Sequence, residues 1–136
     1  MVRAVTAGLP TWRTSLYTVV QLPDQIDTSN ADEVREQLLA LLNSGGSDAG
    51  PVIVDLTGTT FCDSSAINAL LRTRTRASAL GRRLYAAVEP GGIVRKIFDI
   101  TAVSRVISVA DDVGSAIALA VQTSLDDARN GRPEQR

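Results

Sequence analysis

The chain has 136 residues, 44% hydrophobic and 21% charged, a size for one compact core and the balance of a soluble globular protein. Fourteen basic against fifteen acidic side chains leave a formal charge of −1, so no overall field draws it to nucleic acid or to an anionic membrane. It has no histidine and a single cysteine, Cys62, which excludes Ser-His-Asp and Cys-His catalysis, histidine or cysteine-cluster metal sites and an internal disulfide.

The opening "MVRAVTAGLPTWRTSLY" lacks the apolar run of about 7 to 15 residues of a secretory signal. No segment approaches the roughly 18 apolar residues of a membrane span. The expectation is a cytoplasmic module with no direct membrane insertion. Residues 1–14 are expected to form an N-terminal extension, 15–125 the folded domain and 126–136 a flexible tail.

The first predicted element is a strand over "LYTVVQL" (Leu16 to Leu22), rich in Tyr, Thr and Val and closed by Pro23. A helix follows in "SNADEVREQLLALLN": Ser29 and Asp32 have capping-box spacing, and Val34, Leu38, Leu41 and Leu42 recur on one face. "SGGSDAGP" (Ser44 to Pro51) reads as a loop, and "VIVDL" as a buried strand whose successive β-branched residues imply cover on both faces.

After Asp63-Ser64-Ser65, the residues Ala66, Ile67, Leu70, Leu71 and Ala77 fall on one side at about 100° per residue, and Gly81 supplies the stop. "RLYAAVEP" is a third strand. "GGIVRKIFDI" predicts a short helix with Ile93, Ile97 and Ile100 inward, and "RVISVA" a fourth strand. Asp111 and Asp112 can cap a last helix through "SAIALAVQTSL", beyond which "DDARNGRPEQR" has little to bury. Alternating strands and helices make this an α/β domain with parallel pairing in the sheet.

Three residues at the start of the second long helix draw notice. Asp63, Ser64 and Ser65 are favoured caps, because their oxygens accept the orphan N–H groups of a first turn. They also follow a buried central strand, at the edge where α/β proteins place their ligands. A phosphate added to a hydroxyl there brings about −1.5 to −2 charges, which a helix N-terminus tolerates. Asp27 occupies the corresponding junction after the first strand, and it flanks Ser64 if the sheet places the two junctions side by side.

Cys62 reads as a small buried hydrophobe. In "RTRTR", Arg72 and Arg76 share an outer helical face while Arg74 lies near the apolar arc, so the three charges do not converge. Gly45-Gly46 and Gly91-Gly92 fit no nucleotide-binding motif, and no constellation for catalysis is visible.

"VIVDLTGTTFCDSSAINALLRTRTRASALGRRL" resembles the STAS domain of bacterial anti-sigma factor antagonists, with its D-L-[ST] strand end and its F-x-D-S-[SAT]-G helix start. "LPDQIDTSNADEVREQL" and "GGIVRKIFDITAVSRVISV" are similar to two further family segments, so the likeness spans roughly Leu16 to Leu125. The resemblance implies an α/β STAS-like single domain, a mixed sheet of four to five strands with about four helices packed on it. It implies a non-enzymatic antagonist, without cofactor, metal or catalytic residues, that binds an anti-sigma factor with serine kinase activity and frees its sigma factor. The kinase phosphorylates Ser64 to end the complex, and a phosphatase resets it. Carried over by position, Asp27, Asp63, Ser65 and Ala66 are expected at the partner contact. Ala66 stands where the family has glycine, adding a methyl where a kinase approaches the backbone. The alternative within the family is a non-phosphorylated module, a stress-complex scaffold or a transporter accessory subunit.

Overall fold

A computed structural model describes residues 2–5, 8–44 and 50–130. In chain order it contains β1 (Val2–Val5), β2 (Pro10–Arg13), β3 (Thr18–Gln21), β4 (Gln25–Ile26), α1 (Ala31–Asn43), β5 (Val52–Asp55), β6 (Phe61–Cys62) and α2 (Ser64–Ala79). Then come β7 (Leu84–Ala87), α3 (Ile93–Ile100), α4 (Val103–Val106), β8 (Ser108–Ala110) and α5 (Val113–Arg129). Strands β1-β2-β3-β5-β7-β8 form one sheet in that order, and β4 pairs with β6 in a separate ribbon. The first two pairings are antiparallel; β3, β5, β7 and β8 are parallel.

The parallel strands are laid down in chain order, so right-handed crossovers bring every connecting helix to the same face. That face carries α1, α2, α3 and α4 over a large core that includes Leu38, Val54, Leu56, Leu70, Phe98 and Ile107. Among the described residues, only helix α5 covers the opposite face, where Ala116 and Ala120 lie against Val19, Ile53 and Tyr85. Alanine at i and i+4 lets this helix sit close to the sheet. Val52, Ile53 and Val54 are buried because consecutive side chains point to opposite, covered faces.

The STAS-like α/β architecture expected from the sequence is present, with six strands in the main sheet against the four to five expected. The surplus comes from residues expected to form an extension: Thr11 and Trp12 suit a strand, and Pro10 takes the first strand position, where a missing N–H is tolerated. At the other end, helix α5 runs on to Arg129 rather than stopping near residue 125. Asp127 pairs with Arg83 at 3.0 Å and Asp126 accepts from Gln122 Nε2 at 3.0 Å, which holds that last turn. Residues 45–49 of the predicted glycine loop and 131–136 of the predicted tail lie outside the described residues.

Two helical readings change. In α3, Val94 and Phe98 are buried while Ile93 and Ile100 are 52% and 81% exposed, with Ile97 half-buried. Hydrophobic burial scales with area, so the helix turns its larger aromatic inward and leaves the isoleucine stripe on its flank. Of "RVISVA", Arg105 and Val106 belong to the helical turn Val103–Val106, and the strand is only Ser108–Ala110.

The C-terminus of α2 closes as a Schellman motif: Arg82 N donates to Ala77 O at 2.8 Å, Gly81 N donates to Ser78 O at 3.0 Å, and Gly81 takes φ +71°. This turn delivers Arg82, 8% exposed, to the end of α1. Its Nη1 donates to Leu42 O at 3.0 Å, and its Nε and Nη2 to Gly50 O at 3.0 and 2.9 Å. Burial, and then the charge of Arg13, pushes its pKa down. The last turn of α1 has no basic residue of its own, so Arg82 meets carbonyls that would otherwise be orphaned.

Candidate functional site

The site is assembled at the carboxyl edge of the parallel strands. Beyond β5 the chain turns at Asp55, whose Oδ1 accepts from Thr57 N at 2.9 Å and Thr57 Oγ1 at 2.7 Å. Thr59 Oγ1 then donates to Pro23 O at 2.8 Å and Thr60 N to Asp24 O at 2.7 Å, which stitches this loop to the one after β3. Strand β6 leaves the stitch paired in parallel with β4, Gln25 opposite Phe61 and Ile26 opposite Cys62. Asp63 N donates to Ile26 O at 3.2 Å, extending the pairing to the first residue of the candidate site.

Asp63 is extended at φ −117° and ψ −169° and forms the N-cap of α2. Its Oδ1 accepts from Ser65 N at 2.9 Å and from Ser65 Oγ at 2.5 Å, while its carbonyl accepts from Ala66 N at 3.0 Å. These donors, the Ser65 hydroxyl foremost, hold the Asp63 carboxyl below the usual aspartate range. Ser65 is thereby committed to the cap. Ser64 is exposed, and among the described residues its hydroxyl has no hydrogen-bond partner.

Asp27 sits beside this turn, one residue beyond Ile26 as Asp63 is one beyond Cys62. Its Oδ1 accepts from Ser29 N at 2.8 Å and Ser29 Oγ at 2.5 Å. Helix α1 starts at Ala31, so its N-cap position is Asn30 and the capping box from Ser29 does not form; the Asn30 side chain caps no helix N–H, its Oδ1 accepting instead from Asp27 N at 2.9 Å. Ser29 is already spent on Asp27. The two aspartates therefore flank one edge, the condition that the sequence left open, through a strand pair too short to be seen in it.

Ala66 is 1% exposed and its methyl belongs to the core, so its side chain offers no contact surface. No non-glycine residue among those described has a positive φ, so alanine is unstrained here. Cys62 is also 1% exposed; desolvation, followed by the Asp63 charge, raises its thiol pKa, the opposite of an activated thiolate. Arg72 and Arg76 are exposed and Arg74 is half-buried, and Arg76 donates to Asn43 Oδ1 through Nε and Nη2. They form no common site with Ser64.

Sequence reasoning passed over Thr28 and Phe61. Thr28 is exposed in the turn of Asp27, and the likeness of "DTS" to "DSS" was the available signal. Phe61 is 45% exposed one step before the site, and α3 packs against its strand. Among the described residues no group of His, Cys, Asp and Glu could hold a metal ion, and no helix is long and apolar enough to cross a membrane.

The aspartate-capped serine at the start of α2, on this sheet order, coincides with a family profile for the STAS domain that matches residues 11–116. The chain belongs to the STAS domain family. No curated protein sequence matches it. Among solved structures, a protein described as an anti-sigma factor antagonist from Thermotoga maritima superposes with a TM-score of 0.72 at 16% identity, covering 84% of this chain and 95% of that one. The anti-sigma factor antagonist SpoIIAA in its unphosphorylated form gives a TM-score of 0.58 at 17% identity, over 90% of this chain and 98% of that one. The murine anion transporter Slc26a9 gives 0.63 at 20% identity, over 76% of this chain and 17% of the transporter. At these identities the likeness is one of fold, and it takes in nearly the whole of two of these chains and 17% of the transporter.

Proposed function

We propose that this STAS domain is an anti-sigma factor antagonist: it binds an anti-sigma factor that is also a serine kinase, frees the sigma factor, and is switched off by phosphorylation of Ser64. One observation carries the reading. The Ser64 hydroxyl is exposed on the first turn of α2 and has no structural task, whereas Ser65 is tied to the Asp63 cap. That two structural neighbours are described as anti-sigma factor antagonists, one specified as unphosphorylated, supports it.

The switch follows from charge and volume. A phosphate on Ser64 brings about −1.5 to −2 charges to an edge that already holds Asp27 and Asp63. The N-terminus of α2 tolerates the charge within the domain, so the fold persists. Across the contact, the new anion faces the phosphates of the nucleotide that donated it, and like charges at close range drive the two proteins apart. A phosphatase acting on the exposed Ser64 restores the binding form. The setting is cytoplasmic, where kinase, ATP and sigma factor meet, and the domain itself turns over no substrate.

The test is incubation with the partner kinase and ATP, followed by intact mass, site mapping and binding measurements on two variants. Ser64→Ala should bind like the unmodified domain, and Ser64→Asp should bind at least tenfold more weakly. Equal affinities for the two variants would remove the switch. The overlap with Slc26a9 supports a second reading, a non-phosphorylated STAS module serving as an accessory subunit of a transporter or as a stress-complex scaffold. Co-purification with a permease, unaffected by Ser64→Asp, would favour it.

A further inference from the structure

The formal charge of −1 conceals a separation of sign along the strands. In a parallel sheet every strand starts at one edge and ends at the other, so a loop's place follows from which end of a strand it joins. Asp24 and Asp27 follow β3, Asp63 follows β6, Glu89 follows β7, and Asp111 and Asp112 follow β8, which gathers them at the carboxyl edge with Ser64. At the amino edge the sign reverses. Arg13 ends β2 opposite Thr18, the first residue of β3, and Arg76 lies in the last turn of α2. Arg82 and Arg83 precede β7, and Arg105 lies in α4 ahead of β8.

Much of this charge is unneutralised. Among the described residues, Arg13, Arg76 and Arg105 have no carboxylate partner, and Asp24, Asp27, Asp63 and Glu89 have no cationic one. Each edge also exposes apolar side chains. Leu16 in the β2–β3 turn, Leu80 after α2 and Val106 at the end of α4 are at the amino edge. Phe61 in β6 and Ile93 at the start of α3 are at the carboxyl edge. Apolar side chains among charged ones are the anatomy of a protein contact, and here the two edges carry opposite signs.

We propose that the amino edge of one copy docks on the carboxyl edge of a second copy of this chain. The two edges are at opposite ends of the strands, so the contact is head to tail and leaves a free edge at each end of a pair for further copies. Each contact covers the Ser64 edge of one copy, so self-association and the docking of another protein on that edge exclude each other. A net charge of −1 leaves little overall repulsion to oppose it. Exposed ion pairs contribute little each and are screened by salt, so the association is weak and strongest at low ionic strength.

The experiment is sedimentation velocity of the whole protein from about 10 μM to about 1 mM, at about 0.01 M and about 1 M salt, where the screening length falls from about 30 Å to about 3 Å. The expected result is a mean mass that rises with concentration past two copies at low salt and returns toward one copy at high salt. Arg76→Glu with Arg105→Glu should weaken association at least tenfold, and so should Asp24→Lys with Glu89→Lys; all four side chains are exposed. An equal mixture of the two double variants should regain association, because the untouched acidic edge of one meets the untouched basic edge of the other. A single copy at every concentration in low salt, association unmoved by either reversal, or a mass that stops at two copies would each overturn the inference. So would a mixture that stays monomeric while circular dichroism shows both variants folded. A monomeric wild type that binds polyglutamate through Arg76 and Arg105 would overturn it too, and assign the amino edge to an acidic partner of another kind.

Discussion

Restoring the family's glycine at Ala66 tests whether that position matters for packing or for the kinase. Ala66 is in the first turn of α2, 1% exposed, with its methyl among core side chains. Ala66→Gly removes one buried methyl, worth about 0.8 kcal/mol of transfer free energy. It also frees the backbone of a helical residue, a further loss of about 0.8 to 1 kcal/mol in a helix interior and less in a first turn. The sum, about 1.5 kcal/mol, is roughly a tenfold fall in the folded-to-unfolded ratio and about 5 °C in Tm for a domain of this size. Urea unfolding followed by circular dichroism should show a lower midpoint with an unchanged slope. Because the methyl points into the core, the rate of Ser64 phosphorylation should stay within about twofold of wild type, less than 0.5 kcal/mol of barrier. An unchanged midpoint together with a phosphorylation rate raised tenfold or more would refute this reasoning: the methyl would then be obstructing the kinase and not filling the core.

The arginine beneath α1 should be costly to lose. Arg82→Met keeps much of the buried stem but strands Leu42 O and Gly50 O, each worth about 1 to 3 kcal/mol when left unsatisfied, so the loss should be about 3 kcal/mol in urea unfolding. A loss under 1 kcal/mol would mean that water replaces the guanidinium without penalty. Acid should unfold the domain partly through its aspartate caps. Hydrogen bonds hold Asp63 and Asp112 below their ordinary pKa, the Ser65 hydroxyl leading for the first and the Ser115 N–H for the second. A lowered folded-state pKa makes the stabilisation complete above about pH 4, the unfolded value, and lost as pH falls through the lower folded value. Asparagine caps a helix nearly as well without titrating, so Asp63→Asn with Asp112→Asn should flatten the fall in urea midpoint below about pH 4. A double variant with the full acid slope would show that these caps are not its source.

Local pattern carried much of this protein into view, and its failures are local as well. The β-branched run of β5 could only be a strand covered on both faces. Asp63 before an apolar-periodic segment could only be a helix start, and Gly81 its stop, because an L-residue with a side chain pays to take the positive φ found there. In α3 the periodicity allowed two apolar arcs. The choice fell to Val94 and Phe98, since the space between α3 and the sheet suits an aromatic ring, a fact about neighbours far along the chain. The cap falls on Asn30 and not on Ser29, whose hydroxyl donates to the Asp27 carboxylate instead of serving the helix.

For the site, sequence alone supplied the groups: an aspartate, two hydroxyls and a helix start, encoded in "CDSSA" because each depends on residues within one turn of the next. It excluded histidine and cysteine catalysis outright, since absent residues cannot be supplied by folding. What only the tertiary structure decided is adjacency. The β4–β6 ribbon has two residues per strand, too few for any periodic signal, and its pairing depends on the Thr59 and Thr60 bonds to Pro23 and Asp24 from 36 residues away. That pairing sets Asp27 beside Asp63. It also takes the whole domain to decide that the Ala66 methyl points inward, because inward is defined by the sheet beneath α2.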